Sequence, residues 1–415
     1  MDLCSRDVQP LLSIEQALER INAAIQPVEG SETVILKNAL GRVSAEPVYS
    51  PIDSPSDRNA AMDGYAFSSR DINPDTPFTL NLAGTSWAGR PFSGALEKGQ
   101  CARIFTGAVV PPEADSVIMQ EQVQANGQSV LFPANTPAHR NIREVGEDME
   151  QGGLLCAHPK KLTAIDLGLL ASAGIDKVTV RRPLKIAFFS TGDELTEVGR
   201  PLETGKIYDS NRYVLGGLLT DAGHRVTDMG VIADDKQLLE DRVRDAARNH
   251  DVIIGTGGAS VGEADYVKEI LERCGEADFW KIAIKPGKPL AFGKIGSCCF
   301  FGLPGNPVAV IVTFQHFVAP ALQQLSGLPV SKPLQLTATC MSALKKSPGR
   351  QDYQRGILTQ DAGGEFFVVS SGRQGSNMLG SMSRANCYVV LPMESNGVQA
   401  GDKVRVELMR DAQII

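Results

Sequence analysis

The residues of this chain best suited to chemistry fall in short runs between positions 190 and 307. Ser190-Thr191-Gly192-Asp193-Glu194-Leu195 is a glycine turn that presents two carboxylates. The stretch from Gly255 to Asp265 carries Gly257, Gly258 and Gly262, with Ser260 among them. Backbone N–H groups in such a loop can close on an anion, and a helix expected from Tyr266 would aim its N-terminus at the same point. Asp265, just ahead of that helix, serves either as a ligand or as an N-cap. Lys281, Lys285 and Lys288 lie within one strand and its Pro-Gly turn, with no acid between them in sequence. That favours an anion site over a solvated face. Leu303-Pro304-Gly305-Asn306-Pro307 is a rigid turn in which the prolines fix the backbone and Asn306 can meet a ligand or close the turn. Asp209 and the pair Asp234-Asp235 precede helical patterns. Each can cap a helix, meet a nucleotide or, for the pair, hold magnesium. Together these groups imply a phosphorylated or nucleotide-like ligand with a hard cation.

The elements that must position these groups show the pattern of an α/β protein. Apolar runs at 184–189, 225–232, 252–255, 279–284 and 298–302 alternate with helical patterns at 212–222, 236–249, 266–274 and 307–325. Such alternation implies a parallel sheet with helices on both faces, and in an open sheet of that kind ligands bind at the carboxyl ends of the strands. Upstream, apolar spacing of three and four behind Ser13 predicts an amphipathic helix over 11–25. Short alternating runs at 78–82, 101–105, 116–120 and 129–132 predict an inserted β-rich domain. A helix at 163–173 is expected to rejoin the first helix in space. Pro329 and Pro333 mark a linker, after which short strands and turns predict a C-terminal β domain.

Composition narrows the classes. At 415 residues, two to four domains are expected, and 42% hydrophobic with 21% charged residues is ordinary for a globular chain. The formal net charge of -7 offers no general attraction to nucleic acid. No apolar run is long enough for a bilayer span, and the N-terminus lacks a basic stretch followed by an apolar run. The cytoplasm is therefore the expected compartment. The eight cysteines form no Cys-x-x-Cys pair and the five histidines no His-x-x-x-His pair. Any metal should then be a hard ion on oxygen ligands.

These motifs, in this order, resemble the molybdopterin molybdenumtransferases, the family of bacterial MoeA, plant Cnx and the E domain of gephyrin. The resemblance is carried by Thr191-Gly192-Asp193-Glu194-Leu195, Ile207-Tyr208-Asp209-Ser210-Asn211, the run Gly257 to Tyr266, Lys285-Pro286-Gly287-Lys288-Pro289 and Gly302-Leu303-Pro304-Gly305-Asn306-Pro307. It extends through Asn59-Ala60-Ala61-Met62-Asp63-Gly64-Tyr65-Ala66, the blocks around Thr106, Arg143 and Asp148, and the C-terminal blocks around Arg355 and Ser376. It implies a helical stalk from 1–45 and 146–182, an inserted β domain over 46–145, an α/β molybdopterin-binding domain over 183–328 and a β-barrel-like domain over 329–415. It further implies a homodimer with shared active sites and insertion of molybdate into adenylylated molybdopterin, with magnesium-dependent release of AMP. On that basis Glu194, Asp234 and Asp265 would hold magnesium, and Asp63 would act with them across the dimer. Thr106, Arg143, Asp148, Thr191, Asp209, Gly257, Gly258, Ser260, Gly262, Lys281, Pro304, Asn306 and Pro307 would contact the substrate. Lys285, Lys288, Arg355 and Ser376 would hold molybdate. A molybdopterin adenylyltransferase and apo-molybdoenzymes are the implied partners, with no nucleic acid and no membrane.

Two other functions fit parts of the chain. A scaffold of the gephyrin kind would not need the acids and lysines. An adenylyltransferase or a nucleotide hydrolase would share the glycine loop, but would not be expected to carry the blocks around Asp63 and Arg355.

Overall fold

The computed structural model describes residues 11–257, 273 and 276–409, with only the backbone at 276–279. Gly258, Ser260, Gly262 and Asp265 lie outside the described residues. The chain divides into two compact units, one of 1–32, 41–43 and 181–415, the other of 33–40 and 44–180.

The first unit is built on a six-stranded sheet. Its strands are β1 (Lys185–Thr191), β2 (Arg225–Ile232), β3 (Val252–Thr256), β4 (Glu276–Lys281), β5 (Pro289–Ile295) and β6 (Cys298–Leu303), in the order β2-β1-β3-β6-β5-β4. The pairs β1–β2, β1–β3 and β3–β6 are parallel. Strands β5 and β4 then extend the sheet in antiparallel pairing. The single run expected at 279–284 is thus divided: β4 ends at Lys281, and Ile284–Lys285 pairs instead with the C-terminal sheet.

Side chains of β1 alternate between the faces, as the pleat requires. Ile186 and Phe188 join one buried cluster, while Ala187 and Phe189 join the other. The second cluster is closed by Leu239, Val243 and Ala246 of helix Lys236–Asn249. The first is closed by helices Asn211–Asp221, Pro307–Thr313 with its continuation to Leu325, and Ile14–Ala24. Ser13 caps that first helix in a reciprocal capping box with Gln16. Its apolar stripe Ile14, Ala17 and Ile21 packs in the same core as the sheet. The later helix Ala164–Ser172 buries Leu170 with Cys156, Leu162, Val178 and Val180 in the second unit. The 19-residue helical stretch Pro307–Leu325 is apolar enough by composition to span a bilayer, but 67% of it is buried inside the protein.

The C-terminal strands close on themselves. Gln351–Gln360, Phe366–Ser370, Gln335–Cys340, Lys403–Leu408 and Cys387–Leu391 pair in that order, and the last returns to the first. Closure leaves no free edge in this barrel-like domain. Its core holds Ala338, Leu358, Val368, Val389 and Val406.

The second unit carries a six-stranded sheet ordered Ser116–Met119, Gly64–Phe67, Gln100–Ile104, Phe78–Ser86, Ser129–Phe132, Gln124–Asn126. Strand Gly64–Phe67, all four residues buried, had no alternating pattern in the sequence, because both of its faces are covered.

Candidate active site

Three loops at the carboxyl edge of the large sheet meet the start of helix Asn211–Asp221. Ser190, near the end of β1, donates its hydroxyl to Asp209 Oδ1 at 3.2 Å and lies 3.0 Å from Thr256 Oγ1 at the end of β3. Asp209 Oδ1 also accepts from Arg212 N in the first turn of that helix at 3.2 Å. Asp209 is only 2% exposed, and its second oxygen, Oδ2, has no partner among the described residues. Asn211 Nδ2 donates to Gly305 O at 2.7 Å in the turn after β6, leaving Asn211 Oδ1 buried and without a partner among the described residues. Two buried acceptors without donors cost about 1–3 kcal/mol each unless something supplies them. Gly257 closes the cluster: with φ of +90°, a Cβ there would lie 2.1 Å from Thr191 O. The loop can pass under β1 only without a side chain.

A second group forms on the acids. Burial pushes the Asp234 carboxyl above its ordinary range, and the charges of Asp193 and Glu194 push it further. Asp235 resolves as the N-cap of helix Lys236–Asn249, accepting from Leu238 N at 2.8 Å, which leaves Asp234 free of that duty. These are oxygen donors in mutual repulsion, a setting that a divalent ion relieves. Among the described residues no group of three metal-binding side chains is already assembled.

The third group gathers around the N-terminus of Pro307–Leu325. Pro304 is buried while Gly305 and Asn306 are exposed. Val308 N donates to Ser376 O at 3.1 Å, which brings the C-terminal loop to this turn. The lysine turn is fixed from two sides. Ile282 N donates to Lys288 O at 2.7 Å, and Gly287 lies so close to helix Pro307–Thr313 that a Cβ would sit 2.5 Å from Thr313 Cγ2. Lys281 and Lys288 are exposed. Lys285 is not without an acid, as its sequence surroundings implied: its Nζ meets Asp352 Oδ2 at 3.0 Å. Asp352 is 3% exposed and arrives because Ile284–Lys285 pairs with Gln351 and Asp352.

Arg355 differs most from expectation. It is 1% exposed, and its guanidinium donates to Arg373 O at 3.1 Å, Gly375 O at 3.0 Å and Ser381 Oγ at 3.2 Å. It lies beneath the loop that carries Ser376 and shapes that loop from below.

In the other unit, Asp63 Oδ1 accepts from Thr106 N at 2.8 Å and Thr106 Oγ1 at 2.7 Å. These bonds hold the Asp63 carboxyl below its ordinary range, keeping it ionised. Ala60 bonds both Gly107 and Ala108 through the backbone, and strand Asn59–Ala60 pairs with Ile142–Arg143. The Thr106 and Arg143 blocks are thus neighbours. Arg143 and Asp148 are exposed, and Asp148 N donates to Ser54 O at 3.0 Å.

The comparisons with known proteins cover the whole arrangement. The family described as MoeA N-terminal region (domain I and II) matches residues 12–174, the probable molybdopterin binding domain 187–324, and the MoeA C-terminal region (domain IV) 337–409. A relative from Haemophilus influenzae named molybdopterin molybdenumtransferase is 41% identical, over 96% of this chain and 98% of its own length. The chain belongs to the molybdopterin molybdenumtransferase family. A family relative from Nostoc is 34% identical over 91% of this chain and 88% of its own. Gephyrin from Dictyostelium discoideum is 30% identical over 95% of this chain but 61% of its own length. The solved molybdopterin biosynthesis MoeA protein of Pyrococcus horikoshii superposes with a TM-score of 0.79 at 32% identity, covering 96% of this chain and 99% of that one.

Sequence reasoning had not singled out Ser190, Thr256, Asn211 or Asp352 as site residues. The first three stand at strand ends and a helix start already marked, so position alone could have found them. Asp352 had no such signal, because a pairing between residues 67 apart brings it to Lys285.

Proposed function

We propose that this transferase inserts molybdate into the dithiolene of adenylylated molybdopterin, with magnesium-dependent cleavage of the pyrophosphate linkage and release of AMP. The observation that carries the proposal is that similarity to named molybdopterin molybdenumtransferases spans 96% of the chain. It therefore includes both the loops at the sheet's carboxyl edge and the barrel loop that Val308 bonds beside them.

In this reading Asp209 Oδ2 and Asn211 Oδ1 accept donors from the nucleotide end of the substrate, satisfying two buried oxygens. Thr191, Gly257, Pro304, Asn306 and Pro307 shape the phosphate-binding edge, together with Gly258, Ser260 and Gly262. Glu194, Asp234 and Asp265 would hold magnesium, which when bound neutralises charge on a pyrophosphate. Lys285, Lys288 and the Ser376 loop meet the molybdate dianion, with Lys281 assisting at the phosphates. Cationic and hydroxyl donors suit such an oxyanion. Arg355 positions that loop and supplies positive charge beneath it. Asp63, ionised by Thr106, acts with Arg143 and Asp148 from the partner subunit of a homodimer. The four divisions bounded near 46, 146, 183 and 329 are the functional parts, with the first helix serving the sheet. We place the protein in the cytoplasm, between an adenylyltransferase that supplies its substrate and apo-molybdoenzymes that receive its product.

The test mixes purified protein, adenylylated molybdopterin and magnesium, and follows AMP with and without molybdate. Molybdate-dependent release, with product that reconstitutes a molybdenum-free apoenzyme, is expected. No release, accompanied by AMP transfer from ATP onto molybdopterin, would overturn the assignment.

A further inference from the structure

Strand Phe78–Ser86 ends in a tight turn whose two ends, Trp87 and Arg90, exchange both backbone hydrogen bonds at 2.9 Å each. The turn is anchored from behind. The buried Ser86 hydroxyl donates to Val109 O at 2.8 Å and accepts from Phe92 N at 3.3 Å. One face of the Trp87 indole is stacked on Phe105, with centroids 4.2 Å apart and planes 12° apart. The Arg103 guanidinium lies 4.8 Å from the centroid of that same Phe105 ring and 5.0 Å from that of Tyr65. Arg103 is itself fixed, donating to Gly64 O at 3.0 Å and to Gln120 Oε1.

Although held this firmly, Trp87 remains 47% exposed, whereas the chain's other tryptophan, Trp280, is 6% exposed. An indole gains most of its stabilising effect by leaving water, so a rigid, half-open tryptophan is poorly explained by folding alone. Its surroundings point to a ligand. Phe105 leads directly into Thr106, which holds the Asp63 carboxylate. Arg90, at the other end of the turn, is exposed and makes no ion pair among the described residues. An aromatic face beside an uncommitted guanidinium is a general solution for binding a flat base that carries phosphate.

We propose that Trp87 and Arg90 form a stacking subsite for a planar nitrogen heterocycle with a neighbouring phosphate, the chemistry shared by the adenine and pterin ends of an adenylylated molybdopterin. This rests on the function proposed above and names residues for one ring of that substrate. The ring lies on the open face of Trp87, and Arg90 supplies the cation. Phe105 and Arg103 keep the indole in place, so little side-chain freedom is lost on binding.

The experiment measures equilibrium binding of AMP and, separately, of 6-carboxypterin to the full-length protein, its Trp87→Phe and Trp87→Ala variants, and Arg90→Ala. For whichever ring stacks there, Trp87→Ala weakens binding roughly tenfold or more, while Trp87→Phe, which keeps an aromatic face, retains most of it. If AMP is the ligand, Arg90→Ala weakens AMP and leaves the pterin unchanged. A response to AMP assigns the subsite to the adenylyl end, and a response to the pterin assigns it to the other. Failure of the wild type to bind either probe, or equal binding of both probes by wild type and Trp87→Ala, overturns the proposal. Loss of the subsite is distinguishable from failure of the assigned reaction, because molybdate-dependent AMP release by the wild type is read independently. In that assay Trp87→Ala raises KM for the adenylylated substrate and leaves kcat close to wild type.

Discussion

Replacing Gly287 by Ala tests whether close packing of the lysine turn against helix Pro307–Thr313 sets the proposed molybdate site. The new Cβ would stand 2.5 Å from Thr313 Cγ2, against an ordinary carbon–carbon contact of about 3.5–4.0 Å, an overlap of about 1 Å or more. Thr313 cannot easily yield. It is fully buried, and its hydroxyl donates to Ala309 O at 2.7 Å and to Val310 O at 3.2 Å. The φ of +111° at Gly287 adds strain that an L-residue does not tolerate well. Taking about 1–2 kcal/mol for the backbone and about 1–3 kcal/mol for overpacking, the variant should lose roughly 2–5 kcal/mol of stability. The other response open to the turn is to lift away, carrying Lys285 and Lys288 with it. A displacement of about 1 Å at a reacting site can lower activity about 100-fold. Denaturant unfolding measures the first effect, and the molybdate concentration for half-maximal AMP release measures the second. Thr313→Ser removes the clashing methyl and keeps the hydroxyl, so the double variant should recover the overpacking part and leave the backbone part. A Gly287→Ala protein within about 0.5 kcal/mol of wild type, with an unchanged molybdate requirement, would refute the reasoning. So would a double variant no better than the single one.

Asp63→Asn keeps an oxygen for Thr106 but removes the charge; AMP release should fall by about 100-fold or more, the scale of a lost catalytic carboxylate, with sedimentation unchanged from wild type. Wild-type turnover would remove Asp63 from the site. Lys285→Ala should raise the half-saturating molybdate concentration about tenfold or more, the effect of one charge-assisted bond, and an unchanged requirement would show the anion is held elsewhere. His316 is 8% exposed, and burial lowers its pKa to about 4. The unfolded chain binds that proton near 6.5 and the folded chain near 4, so this contribution is complete above pH 6.5 and declines as pH falls toward 4. Between pH 6.5 and 5 the loss should be about 2 kcal/mol. Glu407, 3.7 Å from the ring and raised by its own burial, titrates in the opposite sense, while Tyr353 and Tyr388 stay neutral throughout. His316→Gln should therefore flatten the acid side of the unfolding curve, and an identical slope in both proteins would refute the assignment.

The sheet's parallel core was legible because burial on both faces leaves continuous apolar runs bounded by glycine and acid turns. The first helix's cap was legible because Ser13 acts on Gln16, three residues away. Strand β5 was missed because Pro289-Leu290-Ala291-Phe292-Gly293-Lys294-Ile295 comes directly after a Pro-Gly turn and lacks strict alternation. Its place in the sheet comes from pairing with β6 and β4. For the first helix, the amphipathic stripe reported that a face is buried but not what buries it: Ile14, Ala17 and Ile21 pack in the core of the large sheet.

The same limit explains the candidate site. Residues contributed by the strand ends of one sheet could be located from the loop at the carboxyl end of each apolar run. Those contributed by the barrel could be named only through resemblance, and their burial was invisible. Arg355 shows the consequence. A guanidinium in a polar block is naturally assigned to the anion, yet its nitrogens donate to Arg373 O, Gly375 O and Ser381 Oγ. Its charge still acts beneath the site, but its geometry serves the loop. Lys285 is the converse case, a cation that looked unopposed until strand pairing set Asp352 against it. An oxyanion arriving there competes with a buried carboxylate for the same ammonium group. The resident carboxylate holds Lys285 in position, and if molybdate binds there as proposed it would limit how tightly the anion is kept, which would suit its onward transfer.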